Sequence, residues 1–150
     1  KLTGAVEQVS RAPEGAEKAL ALRHHMAAAL MTVREYARAK ALLEDLVKKS
    51  PREAEYIRNL AVCLTEQRDY DGVLTLMAQA RRSLPDQAAA WWQETAKAVE
   101  MMSVAGAKEK VVAAVDALEK ESPELGGAAT AAKLTELRNQ AREPKPATPG

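Results

Sequence analysis

His24 and His25 are the only two imidazoles in the chain, and they stand side by side. On a helix such neighbours point about 100° apart. Helical chelation of a metal needs ligands at i and i+3 or i+4 on one face, as in H-E-x-x-H. No Cys or carboxylate four positions from either ring completes a set, so the spacing predicts an exposed or surface-lining pair and no metal. Cys63 is the single thiol, which excludes an intramolecular disulfide and a multi-cysteine zinc site. It lies between Val62 and Leu64, with neither histidine near in sequence to serve as its base. A buried, inert thiol is expected. There is no Gly-rich phosphate loop and no nucleophile elbow, and Asp and Glu alternate with Lys and Arg as on a solvated face. The chain therefore reads as a protein without catalysis or cofactor.

Other residues suit binding better than chemistry. Trp91 and Trp92 are adjacent, so only one can lie on a packing stripe. Trp91 is placed there, and Trp92 turns either outward as an anchor or into a half-buried packing role. Met77, Met101 and Met102 fall at helical spacing and read as core filler. Lys48-Lys49 and Arg81-Arg82 read as cations at helix C-termini, where they meet the negative end of the dipole. With no aromatic residues interleaved among them, and 22 basic against 21 acidic residues, nothing points to nucleic acid. No run approaches the roughly 18 apolar residues of a spanning helix, so membrane insertion is not expected. A lone cysteine fits a reducing compartment such as the cytoplasm and is compatible with the periplasm too. The chain opens at Lys1 without Met or a signal-peptide pattern, which reads as removal of a preceding segment.

The elements that hold these residues follow from composition and period. Phe is absent and aromatics are 3% of residues, while Ala occurs in clusters such as Ala27-Ala28-Ala29, so the chain favours closely packed helices over sheets. Tyr36 and Tyr70 are 34 apart, as are Pro51 and Pro85. The same offset pairs Ala27 with Ala61, Leu30 with Leu64, Ala39 with Val73, Leu43 with Met77, and Leu46 with Ala80. A shared period of this kind marks a repeat architecture. Leu60, Ala61 and Leu64 give the stripe of one amphipathic helix, and Val73, Leu76, Met77 and Ala80 that of the next. Gln67-Arg68-Asp69 turns between them, with Asp69 placed to cap the helix from Tyr70. Ser50-Pro51-Arg52-Glu53 reads as an S-x-x-E capping box with Pro at the first helical position.

A third unit at the same offset carries Thr95, Ala98, Val104, Ala107, Val111 and Ala114, with Glu94 where Leu60 stood and Val104 in place of the tyrosine. Pro123 follows Pro85 by 38, so one helix gains about one turn, and the last helix of the unit is the expected place. Subtracting 34 from the first unit gives Leu2, Ala5, Val9 and Ala12 before Pro13 breaks the helix. Residues 1–13 therefore read as the second helix of a partial repeat, either a piece of a longer array or a half-repeat cap. Helix pairs follow over 20–51, 54–85 and 88–123, within 16–123. Gly126-Gly127 ends that segment, and 124–142 holds a capping helix from Ala128 to Arg142 with Ala131, Leu134, Leu137 and Ala141 inward. The Pro-rich tail 143–150 reads as extended or disordered.

These residues resemble the tetratricopeptide family, carried by Leu60-Ala61, Asp69-Tyr70, Ala80 and Pro85 in segment 54–85. Segment 20–51 carries Ala27, Glu35-Tyr36, Ala39 and Pro51. The resemblance implies an all-α, right-handed superhelical solenoid of antiparallel helix pairs whose first helices line a concave groove. His24, Ala28, Met31, Arg58, Asn59, Val62, Thr65, Trp92, Gln93 and Ala96 would face that groove. It would hold an extended or helical segment of a partner protein. Of the clamp with which many family members hold chaperone-tail carboxylates, only Asn59 fits. His24, Ala28, Ala89 and Gln93 occupy the other places, so no such clamp is expected and an amphipathic or neutral segment suits better. The function expected is a protein-interaction scaffold. The alternative is a structural element that spaces or self-associates a larger parent.

Overall fold

The computed structural model describes residues 13–143. Seven α-helices occupy them, with no strand among the described residues: α1 (Pro13–Thr32), α2 (Tyr36–Lys49), α3 (Ala54–Glu66), α4 (Tyr70–Ser83), α5 (Ala88–Val104), α6 (Lys108–Glu121) and α7 (Ala128–Arg142). The fold is all-α and built of helical repeats, as expected. Residues 1–12, expected as a partial repeat, and 144–150 of the expected tail lie outside the described residues. The chain divides into two compact units, Lys1–Asp69 and Tyr70–Gly150.

The period is written in the backbone as well as in side chains. After α1, Arg34 takes a left-handed conformation (φ 62°); its N–H donates to Met31 O at 3.0 Å, and Glu35 N–H donates to Leu30 O at 2.8 Å. After α3, Arg68 (φ 60°) and Asp69 do the same to Thr65 O and Leu64 O. After α5, Gly106 (φ 82°) and Ala107 do it to Ser103 O and Met102 O. One left-handed residue thus satisfies otherwise orphaned carbonyls at each helix end.

The stop before each proline recurs in the same way. A residue preceding Pro is sterically driven out of the α region. Ser50 (φ −135°, ψ 72°), Leu84 (φ −126°, ψ 64°) and Ser122 (φ −144°, ψ 97°) all comply, and their N–H groups close the last turns on Leu46 O, Ala80 O and Leu118 O. This corrects the expected capping box. Ser50 ends α2, Pro51 lies in a turn, and α3 starts at Ala54 after Glu53. At the start of α1, Pro13 takes the first helical position, as a first-turn proline with no donor to lose can.

Both kinds of stop are spaced by 34 residues and then by 38. The four extra residues lie in α5, which has 17 residues against 13 in α3, whereas α2, α4 and α6 each have 14. The added turn therefore sits in the first helix of the third pair and not, as expected, in the last. Beyond it the equivalences move by 38. Val111, Val115 and Leu118 are buried where Val73, Met77 and Ala80, and before them Ala39, Leu43 and Leu46, are buried. Lys108 stands where the tyrosines begin α2 and α4, and Val104, expected at that place, is exposed.

In the first unit the small residues Ala27 and Ala39 are fully buried with Leu43 and Leu46, and α1 and α2 are clipped outside by Arg23 to Asp45. Lys49, one turn on, holds the Asp45 carboxyl below the usual carboxylate range, with help from Arg23 and Lys48. In the second unit Val99, Met102, Val111, Val115, Leu125 and Leu134 form the centre of one apolar cluster. Helix α7 turns Leu134 and Leu137 into it, with Ala131 and Ala141 at the edge. Arg138 ties α7 to α6 through Asp116 and Glu119.

Gly126 (φ 80°) packs on the Trp92 side chain so closely that an added Cβ would overlap it, whereas Gly106 faces open space. Gly106→Ala should cost about 1–2 kcal/mol for its left-handed conformation alone. Gly126→Ala should cost about 1–3 kcal/mol more, because a packed indole must also move. Urea denaturation of the two variants beside the parent chain measures the difference.

Candidate protein-binding surface

Within the first unit, α1 and α3 are the first helices of consecutive pairs, and they meet through His24. Asn59 Nδ2 lies 2.9 Å from His24 Nε2, so an unprotonated Nε2 can accept a hydrogen bond from the amide. The Tyr56 ring is 5.1 Å from the imidazole centroid to centroid, and Glu55 Oε1 is 3.7 Å from Nε2. Burial, then Glu53 and Glu55, pushes the Tyr56 hydroxyl above its ordinary pKa, so it stays a neutral phenol. The 34-residue period puts His24 and Arg58, Ala28 and Val62, and Met31 and Thr65 at equivalent places on α1 and α3. Ala28, Arg58 and Val62 (44% accessible) are exposed, and His24, Met31, Asn59 and Thr65 are half-buried. Thr65 Oγ1 donates to Ala61 O at 2.8 Å, which commits its proton to its own helix. All seven residues expected on the surface from this unit keep some accessibility, and together they offer apolar area, one amide and one guanidinium.

The three expected from the second unit behave differently. Gln93 is exposed, but Trp92 (9% accessible) and Ala96 are in the core. Trp92 is covered by Gly126 and by the Arg81 guanidinium, whose carbon lies 4.1 Å from the ring centroid. Trp92 therefore packs within the second unit and presents little surface to a partner. Arg81 itself is the surprise: it is buried instead of solvated at the helix end, unlike the exposed Arg82. Its Nη1 donates to Thr95 Oγ1 at 2.6 Å, and Thr95 Oγ1 donates to Trp91 O at 2.7 Å, while Nη2 is buried with no hydrogen-bond partner. Burial pulls the guanidinium pKa down, partly offset by Glu121. The signal for this was in the register: 73, 77, 81 and 84 continue the packing stripe of α4 at helical spacing.

The residues with catalytic types are dispersed. Cys63 is fully buried, and burial, reinforced by Glu66, raises its thiol pKa. The two imidazoles are 6.3 Å apart and tilted, and among the described residues no group of three or more His, Cys, Asp or Glu could hold a metal ion. Met77 and Met102 fill the core, while Met101 is exposed. No helix of the described residues is long and apolar enough to cross a membrane.

Residues 30–99 match the family model described as tetratricopeptide repeat. No curated protein matches the chain.

The Arg81–Thr95 contact gives a test of the buried cation. Thr95→Val should destabilise the chain by about 1–3 kcal/mol, because it leaves a second guanidinium nitrogen unpaired. In an Arg81→Met background, where no buried charge remains, the same change should cost much less. A double-mutant cycle by urea denaturation reads the coupling.

Proposed function

We propose that this chain is a non-catalytic scaffold whose α1–α3 face holds a segment of a partner protein, because residues 30–99 match the tetratricopeptide repeat model and such domains generally mediate protein–protein interactions. The observation that carries the proposal is the pair of equivalent rows on that face, His24–Ala28–Met31 and Arg58–Val62–Thr65, joined by the His24–Asn59 contact. Two parallel rows of small and apolar side chains with polar edges suit an extended or helical peptide laid across them. Asn59 spends one N–H on His24, which leaves its carbonyl oxygen and second N–H to a peptide backbone. Covering the exposed part of Val62 contributes on the order of 1 kcal/mol. Arg58 supplies a cationic anchor of the type often found at interfaces. The rows present one guanidinium, one imidazole and otherwise uncharged side chains, so an amphipathic or neutral segment with few charges is the ligand class.

The test is affinity capture from a lysate of the source cells with the full chain and with an Arg58→Glu/Val62→Asp variant, compared by mass spectrometry. Both positions are exposed, so circular dichroism should be unchanged. Partners of the face should be lost from the variant, with at least about a tenfold weaker affinity for any ligand so named, equivalent to 1.4 kcal/mol. Identical protein sets from the two baits, with self-association intact in both, would move the function from this face to self-assembly.

A further inference from the structure

The two rows of the α1–α3 face are joined by a contact whose present form belongs to one protonation state of His24. Asn59 Nδ2 and His24 Nε2 are 2.9 Å apart, which holds while the ring nitrogen has a lone pair to offer the amide. Imidazole is the side chain whose charge ordinarily changes between about pH 5 and 8. Once Nε2 carries a proton, two N–H donors face each other across that contact, and one group must turn. The Tyr56 ring, 5.1 Å away centroid to centroid, packs beside the imidazole and restrains it. Asn59 is the freer partner. The terminal torsion of an asparagine side chain is broad and roughly two-fold, so oxygen and nitrogen exchange places at little cost.

The charges around His24 meet the new cation from one side. On α3, Glu55 Oε1 lies 3.7 Å from the same Nε2, while Tyr56 stays a neutral phenol and Arg58 stands exposed beside Asn59. Glu53, just before α3, acts on the Tyr56 hydroxyl. On α1 itself, His25 is exposed with its ring 6.3 Å away, and Arg23 is held by Asp45 of α2, which also pairs with Lys49. Glu55 is therefore the anion placed to meet an imidazolium at position 24.

On the reading of this face as the ligand surface, we propose that protonation of His24 turns the Asn59 amide over and so lets mild acid release the bound segment. With His24 neutral, Asn59 presents its oxygen and one N–H outward. After the flip, Asn59 Oδ1 accepts from the imidazolium in a charge-assisted bond, about twice as strong as a neutral one. The outward edge is then reversed: N–H groups stand where the oxygen was, and a lone pair stands where the N–H was. A peptide backbone matched to the first arrangement meets donor with donor and acceptor with acceptor in the second. The proton is thus read at the contact between helices and expressed at the surface.

The experiment follows the Asn59 side-chain amide and the His24 ring by NMR in the free, full-length His25→Gln chain, where His24 is the one remaining imidazole. Between about pH 8 and 5 the two amide protons should shift on the same curve as the ring. In His24→Gln they should stay still over that range. An Asn59 amide that does not move while His24 titrates overturns the proposal, and so does movement that persists without His24. For release, proteins captured on the full chain but lost from the Arg58→Glu/Val62→Asp bait are washed at about pH 5.5. Their affinity should fall about tenfold or more, for the parent chain and for His25→Gln alike. Unchanged retention at that pH overturns the release. If no captured protein depends on the face, the ligand-surface reading fails and the release with it, while the NMR titration still decides the flip.

Discussion

Everything in this chain depends on where its helices are made to stop. Each first helix ends on one left-handed residue, Arg34, Arg68 or Gly106, and each second helix ends on the residue before a proline, Ser50, Leu84 or Ser122. The first stop costs left-handed strain at the two arginines and is repaid by two backbone hydrogen bonds. The second is steric and nearly independent of the side chain before the proline. Because both recur together, helix lengths and the direction of the apolar stripes are set by local interactions. The equivalent rows on α1 and α3 are a consequence of that spacing.

Between the stops, packing is achieved with small residues and little aromatic mass. Ala27 and Ala39 allow close helix approach in the first unit, and Leu43 and Leu46 fill the remaining space. The second unit takes a less economical route, with a guanidinium over an indole and one guanidinium nitrogen unsatisfied. Burial of a charge without a carboxylate partner is destabilising by itself, so the arrangement persists because Trp92, Gly126 and Thr95 hold it in place. That same packing withdraws Trp92 from solvent and leaves Gln93, of the three residues expected on the surface from the second unit, as the exposed one.

Much of this was legible in the sequence because the stops are made of recognisable residues. Tyr36 with Tyr70, and Pro51 with Pro85, give the period directly, and the buried triplets Ala39–Leu43–Leu46 and Val73–Met77–Ala80 follow from it. Three things did not. The Ser50–Glu53 capping box is a local pattern, and the proline inside it overrules it by forcing Ser50 out of the helix. The added turn was misplaced because residues 96–105 offer a continuous helical signal with no internal punctuation, and only Gly106 marks the end. The direction of Trp92 depends on Gly126, 34 positions away, and on Arg81 from another helix, so no helical projection of its own segment contains the answer.

The most direct measurement is amide hydrogen exchange of the full chain with and without a ligand recovered by capture. Added protection is expected in the peptides covering residues 24–31 and 55–66, with α7 unchanged. Protection confined to α5–α7, with α1 and α3 exchanging as in the free chain, would contradict it.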